Sequence, residues 1–187
     1  MLALAFVAQA ASQAQSPLTL EVRVFTGVEE VTAETRVTVY RAGERTDPLV
    51  QTAAGGGRVT LAVAPGIYDV QAIRERDGRV VSIRWAERLV VMPYSDENGH
   101  HLEVVNFMNG FGALQVRARQ AAGLPEVEIY ATTVRDKPVA TRVDGTDYAL
   151  FVVPAGKYDV LSKAGSKQAW QADIDVPPGR TRLLVLP

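Results

Sequence analysis

The histidines of this 187-residue chain, His100 and His101, adjoin the carboxylates of SDEN at 95–98 and are the first candidates for metal ligands. Adjacent residues on a strand point to opposite faces, so both imidazoles serve one ion only if the segment is a loop. No second group of nitrogen or sulfur ligands completes a set. SDENGHH also lacks the alternating aspartates of a calcium loop, so it reads as a polar turn, and no metal or other cofactor is expected. Asp173 and Asp175, two apart on a strand, could form an acid–base pair but read as a solvated face opposite Ile174 and Val176. No serine lies in Gly-x-Ser-x-Gly, and neither histidine has an evident serine partner. AAGGGR at 53–58 has the glycines of a phosphate cradle without its Gly-Lys-Ser/Thr ending or following helix. The chain reads as non-enzymatic.

The richest binding chemistry lies in AIRERDGRVVSIRW at 72–85. Asp77-Gly78 suits a tight hairpin turn, which would gather Arg74, Arg76, Arg79 and Arg84 on two strands. Such a basic finger could hold a glycan acid, a phosphate or a partner's carboxylate. The competing reading is a charge-decorated, solvated hairpin with Glu75 and Asp77 neutralising part of it.

The elements that must position these residues are strands. Runs such as LTLEVRVF (18–25), TRVTVY (35–40), RVTLAVA (58–64), YDVQAI (68–73), VVSIRW (80–85), RLVVM (88–92) and HLEVVNF (101–107) alternate or are β-branched. MNGFG at 108–112 reads as a short flexible joint. A second series follows: ALQVRAR, EVEIYAT, PVATRV, YALFVV, YDVLSK, QAWQADIDV and TRLLVLP. No convincing helix is found.

The two series repeat one another. VAPGIYDV at 63–70 and VPAGKYDV at 153–160 align, as do LEVRV at 20–24 and LQVRA at 114–118, and Tyr40 with Tyr130. Each half places one tryptophan after the octet, Trp85 and Trp170. The period of about ninety residues is a whole domain rather than a solenoid unit. In each octet Pro and Gly turn the chain, with Gly66 and Gly156 accepting positive torsions. Tyr68 and Tyr158 then bury their rings while the hydroxyls find backbone partners, as in a tyrosine corner. Asp69 and Asp159 point to the other face. Recurrence of Trp85 and Trp170 fits a shared core position; an exposed tryptophan would instead suit stacking on sugars.

The pattern apolar-Pro-Ala-Gly-x-Tyr-x-Val late in a domain of about seven strands resembles the transthyretin-like, carboxypeptidase-regulatory-like sandwiches of exported bacterial proteins. The first copy departs from it by reading APG. The resemblance implies a fold and an accessory, non-catalytic role, and supplies no active-site residues. The expected fold is all-β: two tandem Ig-like or prealbumin-like antiparallel β-sandwiches at 17–107 and 112–187, joined by a linker at 108–111.

Composition bounds the function. Twenty basic against 21 acidic residues give a net charge of −1, so no global field draws the chain to nucleic acid. The absence of cysteine removes disulfides, thiol chemistry and a lipid-anchored cysteine. No segment has the roughly twenty apolar residues of a membrane span. Residues 1–16, MLALAFVAQAASQAQS, have the apolar stretch and Ala-x-Ala sites of an export signal, without its basic start. The resulting expectation is an extracytoplasmic binding or structural module of the cell envelope, with a protein partner or, as the alternative, an envelope glycan. Open sandwiches offer edge strands for such contacts.

Overall fold

A computed structural model describes residues 17–52, 59–93, 100–119, 123–144 and 147–187. The expected export signal, the glycine-rich run at 53–58 and the acidic turn at 95–98 lie outside the described residues.

The first half contains β1 (Leu18–Thr26), β2 (Glu29–Glu30), a 3-10 turn (Thr32–Glu34), β3 (Thr35–Arg41), β4 (Val50–Gln51), β5 (Val59–Val63), β6 (Gly66–Arg76), β7 (Arg79–Val91) and β8 (His100–Asn106). The second contains β9 (Phe111–Ala118), β10 (Glu126–Ala131), β11 (Val143–Asp144), β12 (Tyr148–Pro154), β13 (Gly156–Ala164), β14 (Lys167–Val176) and β15 (Thr181–Leu186). Where the alternation of PVATRV suggested a strand, only the two-residue β11 forms. VVSIRW and RLVVM, separate in the sequence reading, join in the single β7.

Each half is a β-sandwich, and the two share one pairing scheme. β1 lies between β5 and β8, and faces the sheet β4-β3-β6-β7; β9 lies between β12 and β15, and faces β10-β13-β14. The expectation of wholly antiparallel sheets needs one correction, because β8 runs parallel to β1 and β15 parallel to β9. The last strand of each half lies on the far side of the first and parallel to it, a pairing a two-strand hairpin cannot make.

Period-two alternation builds the cores. Leu20, Val22 and Val24 of β1 meet Val37, Val39, Tyr68, Val70 and Ala72; Leu114 and Val116 of β9 meet Val127, Ile129, Tyr158 and Val160. Each such aliphatic side chain contributes about 1.5–3 kcal/mol on burial.

A third apolar cluster joins the halves. Phe25, Leu102 and Val104, from the other face of the β1 sheet, pack on Ala113, Tyr148, Leu150 and Val152 of β9 and β12. The sheets therefore stack in four layers, and β12 is buried on both faces. The joint is anchored as well: buried Asn106 bonds Gly27 in both directions and accepts from the Met108 amide at 2.9 Å. Gly112 is obligatory there, since a Cβ would come within 2.3 Å of the Pro177 carbonyl oxygen.

The repeated octet makes a tyrosine corner twice. Tyr68 donates to the Ala64 carbonyl at 2.5 Å and Tyr158 to the Pro154 carbonyl at 2.6 Å. Gly66 and Gly156 differ from expectation: neither has positive φ, and each opens a strand beside the tyrosine ring.

Candidate functional site

The β6–β7 hairpin turns at Asp77 and Gly78, both with positive φ (52° and 71°), the pair of torsions a tight two-residue turn requires. Its four arginines do not form one patch. Arg74 is bound by Glu34, and Arg84 reaches the joint to donate to Asn109 Oδ1 at 2.6 Å. Only Arg76 and Arg79, paired across the register, flank the tip. Next to a charged tip formed by Glu75, Arg76, Asp77 and Arg79, the hairpin also exposes apolar side chains. Val80, Val81 and Ile83 are 52, 52 and 55 % exposed on β7, which pairs only with β6 among the described strands.

Trp85 and Trp170 occupy equivalent positions, as expected, but on the outer faces of their sheets rather than in the cores; Trp170 is 42 % exposed. Strand register is the cause. A bulge between Arg74 and Glu75 shifts pairing by one residue and sets Trp85 opposite Gln71 instead of Val70. In the second half Trp170 lies opposite Leu161, again away from Val160 and the core.

Around each tryptophan stands the same set of side chains. Trp85 tilts against Tyr40 with centroids 5.6 Å apart, and the Arg45 guanidinium lies 4.3 Å from its ring. Trp170 tilts against Tyr130 at 5.2 Å beneath Arg135 at 4.7 Å. Each arginine also bonds a buried aspartate, Asp69 or Asp159. The aspartates accept the amides of Arg88 and Asp173, at 2.9 and 3.0 Å, where β7 and β14 bulge with φ of 55° and 57°. Burial opposes ionisation, yet these backbone and guanidinium donors hold both carboxyls below their ordinary range. The constellation pins a strained bulge. Asp173 therefore serves it through its backbone, and Asp175 pairs opposite Lys157 on an exposed strand.

A second polar cluster lies in the seam between the halves. Tyr148 donates to Glu21 Oε1 at 2.6 Å, and His100 Nε2 lies 2.9 Å from Glu21 Oε2. The other ring nitrogen of His100 meets Arg117, so it accepts that proton and Nε2 carries its own toward Glu21. Arg23 contacts Tyr148 at 3.4 Å and bonds Glu30, whose Oε1 also accepts from Thr32. Burial, reinforced by Glu21, pushes the Tyr148 phenol up to about 12. Burial opposes the Arg23 charge, but the bonds to Glu30 and Tyr148 raise its pKa nonetheless. The chain Arg117–His100–Glu21–Tyr148–Arg23 thus crosses the seam three times.

Beside it, Glu103 is buried with no hydrogen-bond partner at Oε1, and burial pushes its carboxyl up to about 8. It lines a cavity of about 300 Å³ with residues of β7, β8, β9 and β15. Apart from His100, these seam residues escaped the sequence analysis, which singled out none of Glu21, Arg23, Glu103, Arg117 and Tyr148. The available signal was the recurrence of polar residues at the same places of LEVRV and LQVRA: Glu21 with Gln115, Arg23 with Arg117. Those positions face each other's sheets. The histidines, read as part of a polar turn, lie instead on strand β8: His100 turns into the seam, and His101 lies 2.6 Å from the Met92 carbonyl.

No family model matches the chain, and no curated protein matches it. Among solved structures it is similar to the Bacillus anthracis TIE protein (16 % identity, TM-score 0.32), covering 91 % of this chain and 34 % of that one. The chain thus spans about a third of that protein's length. It is also similar to the tip fimbrial protein Mfa3 of Porphyromonas gingivalis (8 %, 0.33, covering 83 and 81 %). A third is GBS52, the minor pilin of Streptococcus agalactiae (11 %, 0.30, covering 90 and 94 %). At such TM-scores these similarities carry no conclusion about this chain.

Proposed function

We propose that this is an exported, non-enzymatic module of the cell envelope, built of two tandem sandwich domains, that binds a protein partner through the β6–β7 hairpin. The carrying observation is the edge strand β7, with Val80, Val81 and Ile83 each more than half exposed. An unpaired edge supplies backbone donors and acceptors, and exposed β-branched side chains supply the apolar contact of strand addition. Arg76 and Arg79 at the tip add a positive end for an acidic rim on the partner. The engaged arginines support the same reading: Arg74 and Arg84 brace the hairpin, leaving its edge as the contact.

The test is co-sedimentation of the full chain with envelope fragments from its own host, before and after protease treatment of the fragments. Wild type is expected to sediment, Ile83→Asp to lose about tenfold in retention, and protease treatment to abolish it. Retention indifferent to Ile83→Asp would overturn the hairpin assignment. Retention surviving protease and lost in Trp170→Ala would favour the second reading, an envelope glycan stacked on the exposed Trp170 ring. Against that reading stands Arg135, already over the ring.

A further inference from the structure

The seam cavity combines features that the hairpin reading does not use. Leu89, Leu102 and Leu183 make apolar walls, while the exposed Val90 and Arg182 mark its opening. Glu103 is the carboxylate in this wall, 3 % exposed, and its Oε1 lacks any hydrogen-bond partner. Arg180, His100 and His101 are engaged elsewhere, while the Arg182 guanidinium stands at the mouth as a further cation. Arg180 donates to the Glu87 carbonyl at 3.2 Å, His100 spans Glu21 and Arg117, and His101 contacts the Met92 carbonyl. The Thr181 hydroxyl bonds the Glu103 carboxyl, and the Arg180 charge favours its ionised form, but burial outweighs both. A buried carboxyl beside a cleft with one unsatisfied oxygen is a candidate ligand site.

We propose that this cavity binds an alkylammonium group, its stem against the leucines and its ammonium on Glu103. An alkyl stem of about four methylenes fits the volume, which is at the small end for ligand sites. A neutral stem would leave the carboxyl unanswered, and an anion would oppose its ionisation. The same chemistry is offered by a free alkylamine and by a lysine side chain. Binding replaces the proton of Glu103 with the ammonium: the carboxylic O–H breaks, its proton passes to buffer, and the carboxylate accepts N–H bonds.

Its β7 residues, Leu89 and Val90, lie at the opposite end of the strand from Val80, Val81 and Ile83, and either assignment can fail without the other. The test is titration calorimetry of the full chain with n-butylammonium chloride, with N-acetyl-lysine amide and with n-butanol, in two buffers of different ionisation enthalpy. At pH 7 an amine is expected to release about one proton, and its affinity to rise about tenfold by pH 9 as Glu103 ionises unaided. Glu103→Gln should abolish saturable binding. Leu183→Trp, which fills the cavity without touching the carboxyl, should do the same and guards against misfolding of the first variant. Saturation by the lysine amide identifies a peptide lysine as the source, and saturation by n-butylammonium alone a free amine. Absence of saturation through the millimolar range with both, or equal binding of n-butanol without proton release, would overturn the proposal.

Discussion

Asp69 and Asp159 show how a residue's face and its environment are different facts. Alternation correctly turned them away from the core, but their burial depends on Arg45, Arg135 and two bulges that no local pattern records. Removing one acceptor charge, as in Asp159→Asn, should cost roughly 2 kcal/mol in denaturant unfolding, because the Asp173 amide and Arg135 lose their shared partner. Both carboxyls are depressed on folding, so their stabilisation is present above the ordinary carboxylate range and fades as pH falls through the lower folded values. Glu103 has the opposite sign. Its folded pKa of about 8 against an ordinary 4.5 favours folding below about pH 4.5, and that contribution is lost as pH rises to about 8. The loss is on the order of 4 kcal/mol. Stability curves of wild type and Glu103→Gln should therefore diverge between those limits, the variant lacking the downward slope; parallel curves would refute the assignment. At this scale the tyrosine corners were legible, since the Pro- and Gly-containing turns and ring burial are local. The tryptophans were not: a two-residue hairpin without a bulge would have put Trp85 opposite Val70, in the core.

Among the elements, β5 and β12 make an instructive pair. VTLAV alternates buried and exposed, as a sheet with one solvated face should, whereas YALFVVP is continuously apolar and its strand is covered on both faces until Pro154. That contrast in otherwise equivalent strands was a readable sign that the second half is covered by something more than its own sandwich. The parallel closures by β8 and β15 were unreadable, because an edge strand's sequence is indifferent to its neighbour's direction. In β7 the exposed Val80 and Ile83 contribute little to folding. Ile83→Asp should change unfolding free energy by only about 0.5 kcal/mol while retention on envelope fragments collapses, and a large loss of stability would show instead that the hairpin serves the fold.

The seam decides how the whole molecule behaves. It combines an apolar cluster from both halves with the chain from Arg117 to Arg23, so each half alone would expose Tyr148 or its partners Glu21 and Arg23. Calorimetry should accordingly give one unfolding transition with matching calorimetric and van't Hoff enthalpies. Glu21→Ala, which strands His100 and Tyr148, should cost about 3 kcal/mol and separate two transitions. The recurring octets were visible in the sequence, whereas the seam required knowing which outward faces meet. On the function proposed above, this pair of sandwiches displays β7 as its contact strand. Hydrogen–deuterium exchange of the full chain with and without envelope fragments tests it most directly. Slowed exchange confined to amides of β6 and β7, strongest from Val80 to Trp85, is the expected result. Protection elsewhere with β7 unchanged would contradict the account.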